Sequence, residues 1–333
     1  MRITGIRTLT RASLGLTTTA RGLGLGLAVG DVDGDEYADL VVGAPLDTVD
    51  GVPQAGLAVA VYGSAGGLDT SRRQVWSQNS PGIWDGADAY GAKGRPKTQF
   101  EHFGETMVTG DFDHDGRDDL AVGVPLECTG PCPYLSDGNG SVTVIYGSPT
   151  GLTATGNELW SLATPGVVGI PRGDRLGTSL ATGDVDHDGI DDLAVGEPFR
   201  SLGTSRTVRA GGVLMLKGST SGLTARGSAQ WSESSPGVPG AARRNDLFGA
   251  SLAIGSFGRG GYADLVVGLP AETVSGRVGA GSVRILYGTR AGISGSGAQS
   301  WSQSSPGIRG TAEVADGFGR SLAPLRGSQI SDW

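Results

Sequence analysis

Residues 30–43 read Gly-Asp-Val-Asp-Gly-Asp-Glu-Tyr-Ala-Asp-Leu-Val-Val-Gly, alternating aspartates followed by a short apolar run. The pattern returns as Gly-Asp-Phe-Asp-His-Asp-Gly-Arg-Asp-Asp-Leu-Ala-Val-Gly over residues 110–123 and as Gly-Asp-Val-Asp-His-Asp-Gly-Ile-Asp-Asp-Leu-Ala-Val-Gly over residues 183–196. A fourth copy, residues 255–268, keeps the frame but has lost most of the acidic residues. An internal repeat of this length is typical of proteins built from copies of one structural unit.

Each repeat predicts four short β-strands. The apolar runs are bounded by Gly and Pro and are too short for helices. One tryptophan per repeat, at Trp76, Trp160, Trp231 and Trp301, marks the last strand of each unit. We therefore expect an all-β fold, a β-propeller built from four-stranded antiparallel blades.

The repeat also sets the expected domain organisation. We assign the β-propeller to residues 20–333, with blades at about 20–98, 99–172, 173–245 and 246–315 and a partial fifth blade at 316–333. We interpret residues 1–19 as a remnant of an upstream blade. Either the chain is a fragment of a longer propeller or a smaller ring closes by other means, and we favour the fragment.

Composition excludes several classes of protein. Among 333 residues, 34 acidic and 26 basic side chains give a formal net charge of -8. A net-negative chain with no block of basic residues is not expected to bind nucleic acid. Hydrophobic residues make up 38%, enough for a packed core, and no run of about 18 apolar residues predicts a membrane span.

The alternating aspartates predict metal sites. Asp at positions 1, 3, 5 and 9 of a tight loop, with a backbone carbonyl at position 7, gives the all-oxygen ligand set that Ca²⁺ prefers. A solvated acidic turn is the alternative, but unscreened carboxylates repel one another and the pattern occurs three times. We expect three Ca²⁺ sites, formed by Asp31, Asp33, Asp35, Tyr37 and Asp39, by Asp111, Asp113, Asp115, Arg117 and Asp119, and by Asp184, Asp186, Asp188, Ile190 and Asp192.

Two loops depart from this pattern. The first loop has Glu36 at position 6, where a positive φ favours Gly, so we expect backbone strain there. The fourth loop, from Ser256 to Asp264, has Ser256, Gly258 and Gly260 at ligand positions and keeps only Asp264. We expect no metal in the fourth loop.

The two cysteines, Cys128 and Cys132, lie close together in Cys-Thr-Gly-Pro-Cys. In an exported protein they would close a small disulfide loop, and the alternative is a pair of free thiols in a surface loop. We predict the disulfide. Zinc is not expected, because the three histidines show no ligand spacing with this pair.

The repeat units resemble the FG-GAP repeat family, best known from the N-terminal propeller of integrin alpha subunits. The motif consists of a Phe-Gly half and a Gly-Ala-Pro half. The Phe-Gly half is present at Phe103-Gly104, Phe248-Gly249 and Phe318-Gly319, and the Gly-Ala-Pro half is present without substitution at Gly43-Ala44-Pro45. The resemblance implies a β-propeller with calcium in the loops of several blades. It also implies that the chain is incomplete, since integrin-type propellers have seven blades.

Two functions are compatible with this sequence. The first is a non-catalytic, calcium-stabilised binding or adhesion module for an extracellular protein or glycan. The second is the accessory repeat region of a secreted hydrolase, because FG-GAP repeats also occur in glycosylphosphatidylinositol-specific phospholipase D. We favour the first, because three dispersed histidines offer no pairing of nucleophile and base. Extracellular calcium modules bind weakly, so such sites fill outside cells, and we expect an extracellular or cell-surface location.

Overall fold

A computed structural model describes residues 8–18, 20–84, 101–128, 138–169, 173–203, 209–258 and 260–323. Within these ranges the chain forms sixteen β-strands and no helix, and so no helix that could cross a membrane. The strands form four antiparallel sheets of four, each in chain order. This confirms the predicted all-β fold of four-stranded antiparallel blades, arranged in a propeller-like way.

The four sheets are here called the first to fourth blades. The strands of the first two blades are β1 (Leu27–Gly30), β2 (Asp39–Ala44), β3 (Leu57–Tyr62), β4 (Asp69–Trp76), β5 (Thr106–Gly110), β6 (Asp119–Val124), β7 (Ser141–Tyr146) and β8 (Thr153–Trp160). Those of the last two are β9 (Leu180–Gly183), β10 (Asp192–Gly196), β11 (Val213–Lys217), β12 (Thr224–Trp231), β13 (Ser251–Gly255), β14 (Asp264–Leu269), β15 (Ser282–Thr289) and β16 (Gly292–Trp301). The first strands of successive blades lie side by side, so the blades follow one another along the chain.

The core lies between neighbouring blades. The two middle strands of the first blade, β2 and β3, carry mostly small or β-branched apolar residues that are buried on both faces. One cluster joins Ala58 and Tyr62 of the first blade to Met107 and Leu120 of the second. Since each blade covers the face of the next, apolar surface is buried between blades. This burial stabilises the packing of neighbouring blades and not an isolated sheet.

The two halves of the repeat motif meet at each junction between blades. Phe103 is fully buried, and its backbone N–H donates to the carbonyl of Ala55 at 3.0 Å. The next carbonyl, that of Gly104, would lie only 1.9 Å from a Cβ placed on Gly43. A side chain at Gly43 would therefore collide with the backbone of the following blade. The same step recurs at Phe318, whose N–H donates to Ala280 of the fourth blade at 2.9 Å.

Residues 8–18 pack as turns against the first blade. Leu14 is fully buried and packs with Val59 and Val61 of β3. The guanidinium of Arg11 pairs with the buried carboxylate of Asp47, with N–O distances of 2.5 and 2.8 Å. The interpretation of this segment as the end of an upstream blade, the blade boundaries and the comparison with seven blades stay predictions.

Candidate metal centres

All three acidic loops connect the first and second strands of a blade. The first loop begins where Gly30 pairs with Asp39, and the second where Gly110 pairs with Asp119. Each loop brings carboxylate oxygens within 4.8 Å of one another, in the groups Asp31, Asp33 and Asp39; Asp111, Asp113 and Asp115; Asp184, Asp186 and Asp192. The structure therefore gathers nine of the predicted ligands into three clusters.

The remaining predicted ligands belong to the same loops but not to these three groups. They are the carboxylates of Asp35, Asp119 and Asp188 and the backbone carbonyls of Tyr37, Arg117 and Ile190. The complete ligand sets stay a prediction.

The first aspartate of each loop holds the turn together through backbone hydrogen bonds. In the first loop, Oδ1 of Asp31 accepts the N–H groups of Gly34 and Asp35 at 2.8 and 3.1 Å, and Oδ2 accepts that of Glu36 at 2.8 Å. The first aspartates of the other two loops accept hydrogen bonds from positions 5 and 6 in the same way. The loop conformation is thus built by the protein's own hydrogen bonds.

The last aspartate of each loop ties the loop to the third strand. In the first loop, Asp39 accepts the N–H of Val32 at 2.9 Å and that of Gly63 at 2.7 Å. Burial raises the pKa of Asp39 to about 6, that of Asp192 to about 7 and that of Asp119 to about 8. Hydrogen bonds from the backbone oppose these shifts without cancelling them. A buried carboxylate in this position is stabilised in its charged form by a nearby cation.

The fourth loop shows what this last aspartate does by itself. Asp264 accepts the N–H groups of Phe257, Gly258 and Gly288 at 2.8, 2.6 and 3.0 Å. From the sequence, Asp264 is only the remainder of a lost ligand set. Its hydrogen bonds assign it a structural role that the pattern of acidic residues did not reveal. The absence of a metal from this loop stays a prediction.

Two positions in each acidic loop adopt a left-handed backbone. The predicted strain at Glu36 is present as a φ of 70°. Position 4 is also left-handed, with φ of 75° at Gly34, 62° at His114 and 60° at His187. The sequence pattern predicts a left-handed residue only at position 6. The second and third loops have Gly at position 6 and a non-glycine at position 4, whereas the first loop has the reverse.

Buried oxygens show that these loops suit a cation. Asp186 is only 8% exposed, and within the described residues its Oδ1 has no hydrogen-bond partner. Its Oδ2 contacts Nζ of Lys217. Asp33 is 6% exposed, and its Oδ2 lies 2.5 Å from a guanidinium nitrogen of Arg72. An all-oxygen, partly desolvated donor set is the type that a hard divalent cation occupies.

The predicted disulfide falls partly outside the described residues. Cys128 is not a free thiol. Cys132 lies outside the described ranges, so the pairing stays a prediction.

A family profile described as FG-GAP repeat matches residues 23–63, 103–145 and 176–213. The chain is 33% identical over 189 residues to phosphatidylinositol-glycan-specific phospholipase D of Mus musculus, a match covering 56% of this chain and 20% of that protein. It is 34% identical over 179 residues to integrin alpha-PS2 of Drosophila melanogaster, covering 52% of this chain and 11% of that protein. The chain thus spans a fifth or less of the length of these relatives.

A solved structure, a rhamnogalacturonan lyase of Bacillus licheniformis, superposes with a TM-score of 0.41 and 13% identity, covering 88% of this chain and 56% of the lyase. Such a superposition is too weak to indicate a common fold. The matches to the FG-GAP profile cover the first three repeats, and the motif residues form the junctions between blades. The chain therefore contains three FG-GAP repeats within a propeller-like fold, and it is similar to regions of integrin alpha chains and of phosphatidylinositol-glycan-specific phospholipase D.

Proposed function

We propose that this chain is a non-catalytic, calcium-stabilised extracellular binding module that recognises a protein or a glycan. The observation that carries the proposal is the set of three carboxylate clusters in equivalent loops. Two of these clusters each contain two aspartates that are more than nine-tenths buried, Asp33 and Asp39 in the first and Asp186 and Asp192 in the third. Ca²⁺ bound there would compensate the remaining negative charge of each cluster, since the single basic side chains that contact Asp33 and Asp186 neutralise only part of it.

The proposed role of the metal is structural. Each acidic loop joins the first two strands of its blade, so a bound ion would hold both strands and the loop in one arrangement. A site with a Kd ten-fold below the ambient calcium concentration stabilises the fold by about 1.4 kcal/mol. Three such sites would contribute about 4 kcal/mol. Extracellular calcium concentrations fill sites of this kind, which supports a location outside the cell.

Similarity to integrin alpha chains supports a binding role. The proposal is tested by incubating the purified chain with glycan arrays and with panels of extracellular proteins, with calcium and with a chelator. We expect retention of a ligand in calcium and loss of that ligand in chelator. A protein that melts at the same temperature in calcium and in chelator would contradict the proposed role of the metal.

A matched variant separates calcium binding at the three clusters from effects of calcium elsewhere on the protein. The triple variant Asp33→Asn, Asp113→Asn and Asp186→Asn removes one carboxylate from each cluster and preserves side-chain size. Calcium should raise the melting temperature of the wild type and leave that of the variant unchanged. Stabilisation of both proteins by calcium would assign the effect to other residues.

The alternative function is an accessory region of a secreted hydrolase, supported by the similarity to phosphatidylinositol-glycan-specific phospholipase D. Incubation of the purified chain with a glycosylphosphatidylinositol-anchored substrate discriminates the two. We expect no cleavage by this chain alone. Cleavage that survives repurification would reject the non-catalytic proposal.

A further inference from the structure

One position beside the acidic loops differs between the blades. The third and fourth strands of every blade pair with a register shift in the same place, next to Tyr62, Tyr146, Lys217 and Tyr287 in turn. These four residues are therefore structurally equivalent. Three blades have tyrosine at this position, and the third blade has lysine.

The tyrosine of the first blade links neighbouring blades. In the first blade, the hydroxyl of Tyr62 accepts the N–H of Leu152 from the second blade at 2.9 Å. Lys217 carries no acceptor, and its Nζ instead contacts Oδ2 of Asp186 in the third acidic loop. The Lys217 side chain is 25% exposed and that of Asp186 is 7% exposed, so this ion pair is largely withdrawn from water.

The basic side chains at the other two loops are placed differently. Arg72, which faces Asp33, extends from the outer strand β4, is 42% exposed and stacks on the Tyr62 ring at 4.5 Å. Arg117 pairs with Asp115, an aspartate that is itself 35% exposed. Lys217 alone combines two properties: its side chain is about as buried as that of Arg117, and its partner is a buried predicted ligand, as Asp33 is for Arg72.

We infer that Lys217 is a tethered competitor of calcium at the third acidic loop: its ammonium lowers the calcium affinity of that site and is released when the ion binds. The inference rests on the proposed calcium function. The ammonium and a divalent ion would compete for the same Asp186 carboxylate. Calcium must therefore displace a charge-assisted contact, which lowers the affinity by about tenfold.

Calorimetric titration of four proteins tests this directly. Lys217→Tyr restores the residue of the other blades, and Lys217→Met removes the charge while keeping an unbranched side chain. Arg309→Met removes a positive charge from an exposed position after β16 as a matched control. In both Lys217 variants we expect the calcium Kd of one site to be about tenfold lower than in the wild type. The control variant should bind calcium as the wild type does.

Amine labelling of the wild type gives a second readout that needs no variant. The chain has only three lysines, Lys93, Lys97 and Lys217, so mass spectrometry reports each one separately. Calcium should increase the labelling of Lys217 relative to the other two. The expected increase follows from the release of its ammonium from Asp186.

The outcomes separate this inference from the proposed function. Three bound calcium ions, with identical isotherms in the wild type and both Lys217 variants, would overturn the role of Lys217 alone. Unchanged Lys217 labelling at saturating calcium would do the same. Absence of calcium binding in all four proteins would overturn the calcium function and this inference together.

Discussion

The backbone N–H of Asp118 donates to the carbonyl of Asp31 at 2.9 Å, and the Asp118 carboxylate accepts the N–H of Asp31, also at 2.9 Å. Asp31 begins the first acidic loop, and Asp118 lies within the second. The N–H of Asp191 donates to Asp111 at 3.0 Å in the same way, and Ala263 donates to Asp184 at 3.4 Å. Each acidic loop is therefore held by the blade that follows it.

Replacing Asp118 by Ala should destabilise the protein by about 1–3 kcal/mol, because the partly buried N–H of Asp31 loses its charged acceptor. Urea denaturation in chelator measures the loss. Asp118→Asn is the control, since its side-chain carbonyl can still accept this hydrogen bond. Equal stability of the Ala variant and the wild type would show that the link between the first two loops does not contribute.

Replacing Glu36 by Gly should stabilise the calcium-free protein by about 1 kcal/mol, because glycine adopts a φ of 70° without strain. Gly116 occupies the same position of the second loop, with a φ of 85°, and Gly116→Ala should lower the free energy of unfolding by a similar amount. Glu36→Ala controls for the loss of charge while keeping the strained backbone. Denaturation midpoints compare the three, and a stabilisation by Glu36→Ala equal to that by Gly would assign the effect to charge.

Replacing Asp264 by Ala should lower stability by about 2–3 kcal/mol, because three backbone N–H groups lose their acceptor. The loss should be equal with calcium and with chelator, and the number of bound calcium ions should not change. Thermal melting and calcium titration of this variant check both statements. A drop in the number of bound ions would reveal a metal in the fourth loop.

The pH dependence of stability should include a contribution from Glu197. This carboxyl is fully buried, and burial raises its pKa from 4.5 to about 8 although Arg200 and Gln230 donate to it at 3.1 and 2.9 Å. The folded protein therefore holds a proton that the unfolded chain releases at lower pH. Stability from this group is full below pH about 4.5 and is lost as the pH rises towards 8.

Glu197→Gln mimics the protonated carboxyl and removes this titration. Melting temperatures in chelator between pH 5 and 8 should fall more steeply for the wild type than for the variant. Parallel curves would show that Glu197 does not carry this contribution.

Sequence alone predicted the strands and the three acidic loops because both are local signals. The apolar runs between Gly and Pro define strands such as β2, and the spacing of Asp31, Asp33 and Asp35 defines the first loop. The repetition reinforced each assignment.

The side-chain contacts between segments that are distant along the chain could not be predicted in this way. Lys217 and Asp186 form a pair although they lie far apart in the sequence. The hydrogen bonds that Asp264 accepts include one from the N–H of Gly288 in β15, which is also distant in the chain. The left-handed backbone of His114 was not predicted because few non-glycine residues adopt it, and the sequence pattern indicates it only at position 6, where two of the loops have glycine. Comparison with the first loop, which has glycine at that position, carried the missing signal.

Native mass spectrometry of the intact chain in calcium counts the ions bound to each molecule, and so tests whether the three acidic loops bind calcium. We expect three calcium ions on the wild type and none on the triple variant of Asp33, Asp113 and Asp186. A wild-type spectrum without bound calcium at concentrations that fill extracellular sites would show that the acidic loops are not calcium sites.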